Sequence, residues 1–141
     1  MVRQDDFKSS LMILEVWRQG KDFGSGGQAC LMIAGCLSNR ARLGWGQLLD
    51  VLKAAPKFSA TLELPNRDAY PDIWDPAFIK LLHAIPGIVD GSIPDPSMGG
   101  LYWADLSKGR PGITNPWFSE KILGSPIHAA CCNINSFTVF R

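Results

Sequence analysis

Several features are scarce in this sequence, and each scarcity excludes a class of protein. Fourteen Lys and Arg residues against 13 Asp and Glu give a formal net charge of +1, so no overall charge attracts nucleic acid or an anionic membrane. No apolar run approaches the roughly 18 residues that span a bilayer. With 46% hydrophobic and 19% charged residues, the composition is globular. We therefore expect a single domain over residues 1–141, with neither nucleic-acid binding nor membrane insertion.

Metal ligands and a disulfide framework are also poorly represented. The chain has two histidines and four cysteines, without a CxxC or Cys–His spacing typical of zinc, so we expect no metal and no cofactor. Cys30 and Cys36 lie in an apolar run, where cysteine often acts as a small hydrophobic residue. Adjacent cysteines such as Cys131 and Cys132 rarely bridge each other. The pattern favours free buried thiols and leaves open a disulfide from Cys30 or Cys36 to this pair.

Hydrophobic spacing and turn residues predict a mostly helical chain. Asp5 or Asp6 can cap a first helix that ends near Glu15, and four glycines within residues 19–27 predict a loop there. A buried helix is predicted from Gln28 to Arg42, followed by a helix over 47–55 and an irregular segment over 56–76. A further helix over 76–90, which Pro86 kinks or shortens, precedes a turn over 92–100. Strands are predicted at 101–103 and 136–140. The predicted class is α+β, mostly α, with a buried central helix and a small β element.

A series of segments after residue 26 carries a family resemblance. The segments are GGQACLMIAGCLSNRAR (26–42), APKFSA (55–60), HAIPGIVDGSIPDPSMGGLYWAD (83–105), PWF (116–118) and FTVF (137–140). In order and spacing they resemble the cell wall hydrolase family typified by spore-cortex-lytic enzymes. The matching features are its Gly-Gln helix ending in Asn-Arg, its Gln-Phe-Ser segment, its Asp-Pro-Thr and Gly-Ala pattern, its late aromatic segment and its closing strand.

This resemblance implies a lysozyme-like domain related to lytic transglycosylases, acting on the glycan strands of peptidoglycan. The family uses a catalytic glutamate that lies shortly before the Gly-Gln helix. In this sequence the resemblance assigns that role to Glu15. Within these segments, Lys57, Ser97 and Gly100 replace the glutamine, threonine and alanine of the family. Three further departures are that Glu15 precedes Gln28 by a longer interval, that the second glutamate of the family stretch has only Gln19 as a counterpart, and that Thr138 stands where the family has histidine.

Cleavage of a glycosidic bond requires a proton on the leaving oxygen, which a carboxylic acid in an apolar pocket can supply near neutral pH. Glu15 follows an apolar turn and precedes Trp17, so it is the predicted acid. A second carboxylate completes the usual scheme, whereas a lytic transglycosylase needs only the acid because the 6-hydroxyl of the sugar attacks. Glu63 and Glu120 are interpreted as surface carboxylates.

A glycan groove offers aromatic faces for stacking and polar groups for hydrogen bonds. Tyr102 and Trp103 are predicted to stack on sugar, and Ser59 to hydrogen-bond to it. The competing platforms are Trp17, Trp45, Trp74 and Trp117, each of which could equally pack in the core. The groups expected to order turns and loops instead of touching sugar are Asp95, Asp105, Asn39 and Arg40.

Two other functions stay open from the sequence. One is a catalytically inactive virion protein that keeps the fold and docks other virion or tail proteins. The other is a cysteine peptidase with Cys30 or Cys36 as nucleophile and His83 or His128 as base. The first ten residues lack the pattern of a signal peptide, so we expect delivery to the wall on a phage particle or by release at lysis.

Overall fold

The computed structural model describes residues 4–23, 25–55, 58, 72–106 and 116–141. The helices are α1 (Gln4–Gly20), α2 (Gln28–Arg42), α3 (Leu48–Lys53), α4 (Pro76–Asp90) and α5 (Pro116–Lys121), and the strands are β1 (Tyr102–Asp105), β2 (Ala130–Ile134) and β3 (Phe137–Phe140). Short 3-10 turns cover Lys21–Phe23, Ser25–Gly27 and Pro126–His128. This architecture confirms the predicted α+β, mostly α, class. In the part of the chain described, no helix is long and apolar enough to cross a membrane.

Helix α2 is the central helix of the fold, with the bounds that the sequence predicts. Every residue from Ala29 to Ser38 is buried, because α2 packs against α1, α3 and α4 and also contacts β1. Gly27 precedes the helix in the left-handed conformation (φ 89°), which favours glycine because it has no Cβ. The core of the domain therefore lies around α2.

Helix α1 continues further than the sequence predicts. It includes Gln19 and ends at Gly20, and two 3-10 turns follow it within the stretch predicted as a loop. The prediction was wrong because Gly20 serves packing: a Cβ there would lie 2.7 Å from the Sγ atom of Cys30. Close approach of α1 to α2 outweighs the low helix propensity of glycine.

Helix α4 follows its predicted bounds. The Asp75 carboxylate caps it by accepting a 2.9 Å hydrogen bond from the Ala77 amide, and Gly91 ends it with a φ of 85°. Pro86 lies inside the helix without shortening it. Proline has no N–H group, so Pro86 cannot donate the helical hydrogen bond to the Leu82 carbonyl. Both residues lie on the exposed side of the helix, where water can bond to that carbonyl instead.

The sheet has the strand order β1-β3-β2, and both pairings are antiparallel. Phe137 and Val139 of β3 pack into the main core, while Phe140 faces a small second cluster formed with α5. This alternation follows from the two-residue period of a strand. The predicted strands at 101–103 and 136–140 correspond to β1 and β3, whereas β2 was not predicted.

The turn over 92–100 is organised by Asp95, as the sequence predicts. Its carboxylate accepts hydrogen bonds from the amides of Ser97 (2.8 Å) and Gly99 (2.8 Å), from the Ser97 hydroxyl (2.6 Å) and from the Asn39 side chain (2.7 Å). Burial favours a higher pKa for Asp95, but the bonds from Asn39, Ser97 and Gly99 prevail and hold the pKa below its ordinary value. The turn is thereby tied to the C-terminal half of α2.

We expect Asp95→Asn to lower the free energy of unfolding at pH 7 by about 1–3 kcal/mol, because an amide NH2 group would face the donors that now meet a carboxylate. Since the folded-state pKa is lowered, the contribution of Asp95 is present above the unfolded-state value of about 3.9 and is lost as pH falls through the folded-state value. Urea unfolding from pH 7 to pH 2.5 would measure this. The gap between the two proteins should narrow with acidification, and a gap that widens would contradict the assignment. Asp72→Asn, in an exposed turn, is the matched control.

Candidate functional site

Five aromatic side chains line one cleft of about 360 Å³. This aromatic cleft is lined by Trp45, Tyr102, Trp103 and Trp117 together with Gln19, Arg40, Ala54, Ala55 and Phe118. Such a volume lies within the range of small-ligand sites. Tyr102 and Trp103, which the sequence predicts to stack on the substrate, both lie in the wall of this cleft.

Separate elements bring the rings together. Trp45 lies in the turn after α2, Tyr102 on β1 and Trp117 on α5. The Tyr102 ring is central, with its centroid 5.7 Å from that of Trp45 and 6.0 Å from that of Trp117. Helix α5 reaches the cleft because Phe118 packs edge-on against Phe140, with centroids 5.7 Å apart. The sheet and α5 therefore position the aromatic surface.

Arg40 places a positive charge against these rings. Its guanidinium carbon lies 5.0 Å from the ring centroid of Trp45, 5.5 Å from that of Tyr102 and 4.8 Å from that of Trp103. Its Nε donates a 2.8 Å hydrogen bond to the Leu101 carbonyl, which fixes the start of β1. Burial lowers the pKa of Arg40, but a guanidinium stays protonated in proteins. Arg40 thus orders a neighbouring segment, as predicted, and also lines the cleft.

Glu15 is completely buried and does not itself line the aromatic cleft. Its carboxylate accepts a 2.6 Å hydrogen bond from the Gln19 side chain and pairs with the guanidinium of Arg18. Gln19 also lines the aromatic cleft. A single glutamine side chain therefore connects the buried carboxylate with the aromatic surface.

The remaining residues singled out from the sequence are dispersed. Ser59 and Glu63 lie outside the described residues. Trp17 packs edge-on against Phe78, Trp74 is 79% exposed away from the cleft, and Glu120 is exposed on α5. Among the described residues, Glu15 is thus the glutamate connected with the aromatic rings.

The cysteines are free thiols in this structure, in line with the favoured interpretation of the sequence. Cys30 and Cys36 are buried, whereas Cys131 and Cys132 are only partly so. Burial raises the pKa of Cys30 to about 12 and that of Cys36 well above its usual range. A nucleophilic cysteine needs a low pKa and access to substrate, so this environment disfavours both thiols as nucleophiles.

The described part of the chain contains no group of three or more His, Cys, Asp or Glu side chains that could hold a metal ion. The Arg40 guanidinium and the Gln19 amide line the aromatic cleft, and the Glu15 carboxylate is bonded to Gln19. The imidazole of His128, a candidate base from the sequence, packs edge-on against Tyr102 with ring centroids 5.2 Å apart.

No protein-family model matches the chain, and comparisons with curated proteins and with solved structures also give no match. The resemblance to the cell wall hydrolase family therefore rests on the sequence motifs alone.

Two polar residues of the cleft wall, Gln19 and Arg40, were not assigned a role in it from the sequence. Gln19 was noted only as a counterpart of the missing family glutamate, and Arg40 only as a residue that orders loops. For Gln19 a signal existed, because it follows Glu15 by four residues and such pairs face each other on a helix. For Arg40 no local signal exists, because its aromatic neighbours Tyr102 and Trp103 are far away in sequence.

Proposed function

We propose that this protein binds peptidoglycan glycan strands in the aromatic cleft and cleaves them with Glu15 as the general acid. The observation that carries the proposal is the hydrogen bond from Gln19 to Glu15, which joins a fully buried carboxylate to a cleft lined by five aromatic rings. The motifs that resemble the cell wall hydrolase family support the same assignment. The lysozyme-like relationship of the fold is part of this proposal.

The aromatic rings suit a saccharide because their flat apolar faces match the C–H faces of pyranose rings. Arg40 adds a cation at the same surface. Glycan strands of peptidoglycan carry carboxylates on their lactyl and peptide substituents, and a guanidinium pairs well with a carboxylate. The combination of aromatic faces with one cation thus favours an acidic glycan over a neutral one.

In the proposed reaction, the Glu15 carboxylate leaves its pairing with Arg18 and takes up a proton from water when the glycan binds. It then donates that proton to the leaving glycosidic oxygen, and the bond from that oxygen to the anomeric carbon breaks. The 6-hydroxyl of the same sugar then attacks the anomeric carbon and returns a proton to the Glu15 carboxylate, leaving a 1,6-anhydro product. If water attacks instead, the product has a reducing end. Glu15 does not line the cleft, so the Gln19 side chain, which lines it and is bonded to Glu15, must move for the acid to reach the glycosidic oxygen.

Digestion of purified sacculi, followed by mass spectrometry of the soluble products, tests this proposal. We expect muropeptides that end in a 1,6-anhydro sugar. Products with reducing ends would identify the enzyme as a hydrolase instead of a transglycosylase. Free peptides without cut glycan would contradict the proposed cleavage of glycan strands. Delivery to the wall, on a virion or by release at lysis, is a separate part of the proposal that this assay does not address.

We expect Trp45→Ala to weaken binding of a soluble peptidoglycan tetrasaccharide by about tenfold, because it removes one stacking face of the cleft. Trp45 is half-exposed and belongs to neither core cluster, so the fold should persist. Isothermal titration calorimetry would measure the affinity. Trp74→Ala is the matched control, because it removes an exposed indole that is not in the cleft wall. Equal losses in the two variants would contradict the assignment of the cleft.

A glycan-binding protein without catalytic activity, such as a virion component, is the second candidate. The observation that favours it is the engagement of Glu15, whose carboxylate is bound by Arg18 and Gln19 and has no exposed surface. Wild-type protein that binds the tetrasaccharide yet releases nothing from sacculi of several bacteria would select this candidate.

A further inference from the structure

A second cavity, of about 600 Å³, lies at the C-terminal end of α2. It is lined by Lys8 of α1, Ser38, Ala41 and Arg42 of α2, Gly44, Gly46 and Gln47 of the following turn, Leu48 of α3 and Val89 of α4. It shares no lining residue with the aromatic cleft. We refer to it as the α2-end pocket, and its ligand is independent of the proposed glycan cleavage.

The charged groups in the wall of the α2-end pocket are cationic. They are Lys8 and Arg42, and among the described residues that line the pocket there is no Asp or Glu. Asp50 of α3 accepts a 3.2 Å hydrogen bond from the amide of Gln47, a residue of the wall, and Asp90 of α4 accepts from the Ser92 amide at 2.8 Å. The charged side chains of the wall itself are therefore both positive, and the Asp50 carboxylate lies beside the wall.

Arg42 is held in place by two of its five N–H groups. Its Nη2 donates to the Ile88 carbonyl at 2.8 Å, and its Nη1 donates to the Asn39 side-chain oxygen at 3.2 Å. A guanidinium fixed in this way loses little conformational entropy when its other donors bind an anion. Arg42 is thus preorganised for an oxyanion.

Ser38 supplies an independent indication of a ligand. It is only 4% exposed, and its hydroxyl has no hydrogen-bond partner among the described residues. Buried hydroxyl groups are nearly always hydrogen-bonded, because an unsatisfied one carries the full cost of desolvation. Ser38 belongs to the wall of the pocket, so a change of its χ1 rotamer can turn the hydroxyl towards a ligand oxygen.

We propose that the α2-end pocket binds a small molecule that carries a phosphate group on an apolar body. Two cations match the phosphate charge of about −1.5 to −2 at neutral pH, and donors from Lys8, Arg42 and Ser38 can serve its oxygens. The side chains of Ala41, Leu48 and Val89 give the rest of the pocket an apolar wall. A ligand carboxylate carries only one negative charge, so it matches the two cations less well than a phosphate does.

Phenyl phosphate is the probe, with inorganic phosphate and benzoate as comparisons, all titrated at constant ionic strength and followed by amide chemical shifts. We expect saturable shifts confined to residues 38–48 and their neighbours, with phenyl phosphate binding at least about fivefold more tightly than either comparison compound. No saturation with phenyl phosphate would overturn the proposal. If inorganic phosphate bound as tightly as phenyl phosphate, the proposed requirement for an apolar body would be wrong. If benzoate bound as tightly, the proposed requirement for a phosphate group would be wrong.

Ser38→Ala is the decisive variant. It should weaken phenyl phosphate binding by about tenfold, since a hydrogen bond to a charged ligand is lost, while the melting temperature of the free protein stays the same or rises. Arg42→Gln should weaken binding by at least about tenfold, whereas Lys80→Gln, an exposed cation on α4 that does not line the pocket, should leave it unchanged. Unchanged binding in Ser38→Ala and Arg42→Gln would place the ligand elsewhere. Digestion of sacculi is a separate readout, so this proposal and the proposed function fail independently.

Discussion

Glu15→Gln is expected to reduce the release of muropeptides from sacculi by about 10²–10⁴-fold, the usual worth of a positioned general acid. Glutamine keeps the shape of the side chain but cannot donate a proton to a glycosidic oxygen. Turnover would be measured by quantifying soluble muropeptides by mass spectrometry. Glu120→Gln, at an exposed position of α5, is the control and should retain wild-type turnover.

A structural effect of the same substitution must be separated from the chemical one. Glu15 is buried and pairs with Arg18, so removal of its charge leaves a partly buried guanidinium without a counterion and costs about 1–3 kcal/mol of stability. The double variant Glu15→Gln with Arg18→Gln should recover part of that stability without recovering cleavage. If cleavage by Glu15→Gln equals that of the wild type, Glu15 is not the acid.

Gly35→Ala is expected to lower the free energy of unfolding by about 2–4 kcal/mol, although alanine is the better helix former. Gly35 lies in the middle of α2, where a Cβ would lie 2.9 Å from the Ser97 hydroxyl oxygen and even closer to the Asp95 carboxylate. The turn over 92–100 would have to move away from α2 and would lose hydrogen bonds such as that from Asn39 to Asp95. Thermal or urea unfolding would measure the loss.

A double-mutant cycle with Asp95→Ala tests the cause of this loss. Removal of the carboxylate makes room for the new methyl group, so Gly35→Ala should cost at least about 1 kcal/mol less in the Asp95→Ala background than in the wild type. Additive costs would show that the carboxylate is not what excludes a side chain at position 35. The cycle would thereby identify steric contact between α2 and the turn as the origin of the glycine requirement.

The sequence predicted best those elements whose signals are local. The apolar run after Gln28 predicted α2, and Asp75 as a cap with Gly91 as a stop delimits α4 in the structure. It failed where packing overrides local preference: Gly20 is helical because α1 approaches Cys30. Strand β2 was missed although Asn135, which adopts a positive φ of 51°, marks the turn between β2 and β3.

The candidate site was predictable only in part, for the same physical reason. Tyr102 and Trp103 were identified because aromatic residues suit sugar, and Glu15 because the family resemblance places an acid before the Gly-Gln helix. That Trp45, Trp117 and Arg40 surround Tyr102 depends on how the end of α2, the sheet and α5 pack. Such long-range contacts have no spacing signature in the sequence.

The position of β3 in the sheet has a consequence for the order in which the protein is made. β3 is hydrogen-bonded to both β1 and β2, yet it follows both of them along the chain. During translation the helices around α2 can gather early, as segments nearer the N-terminus do, but β1 has no strand to pair with until residue 140 has left the ribosome. Tyr102 pairs with Phe140 itself, so the aromatic cleft can be completed only after β3 has left the ribosome.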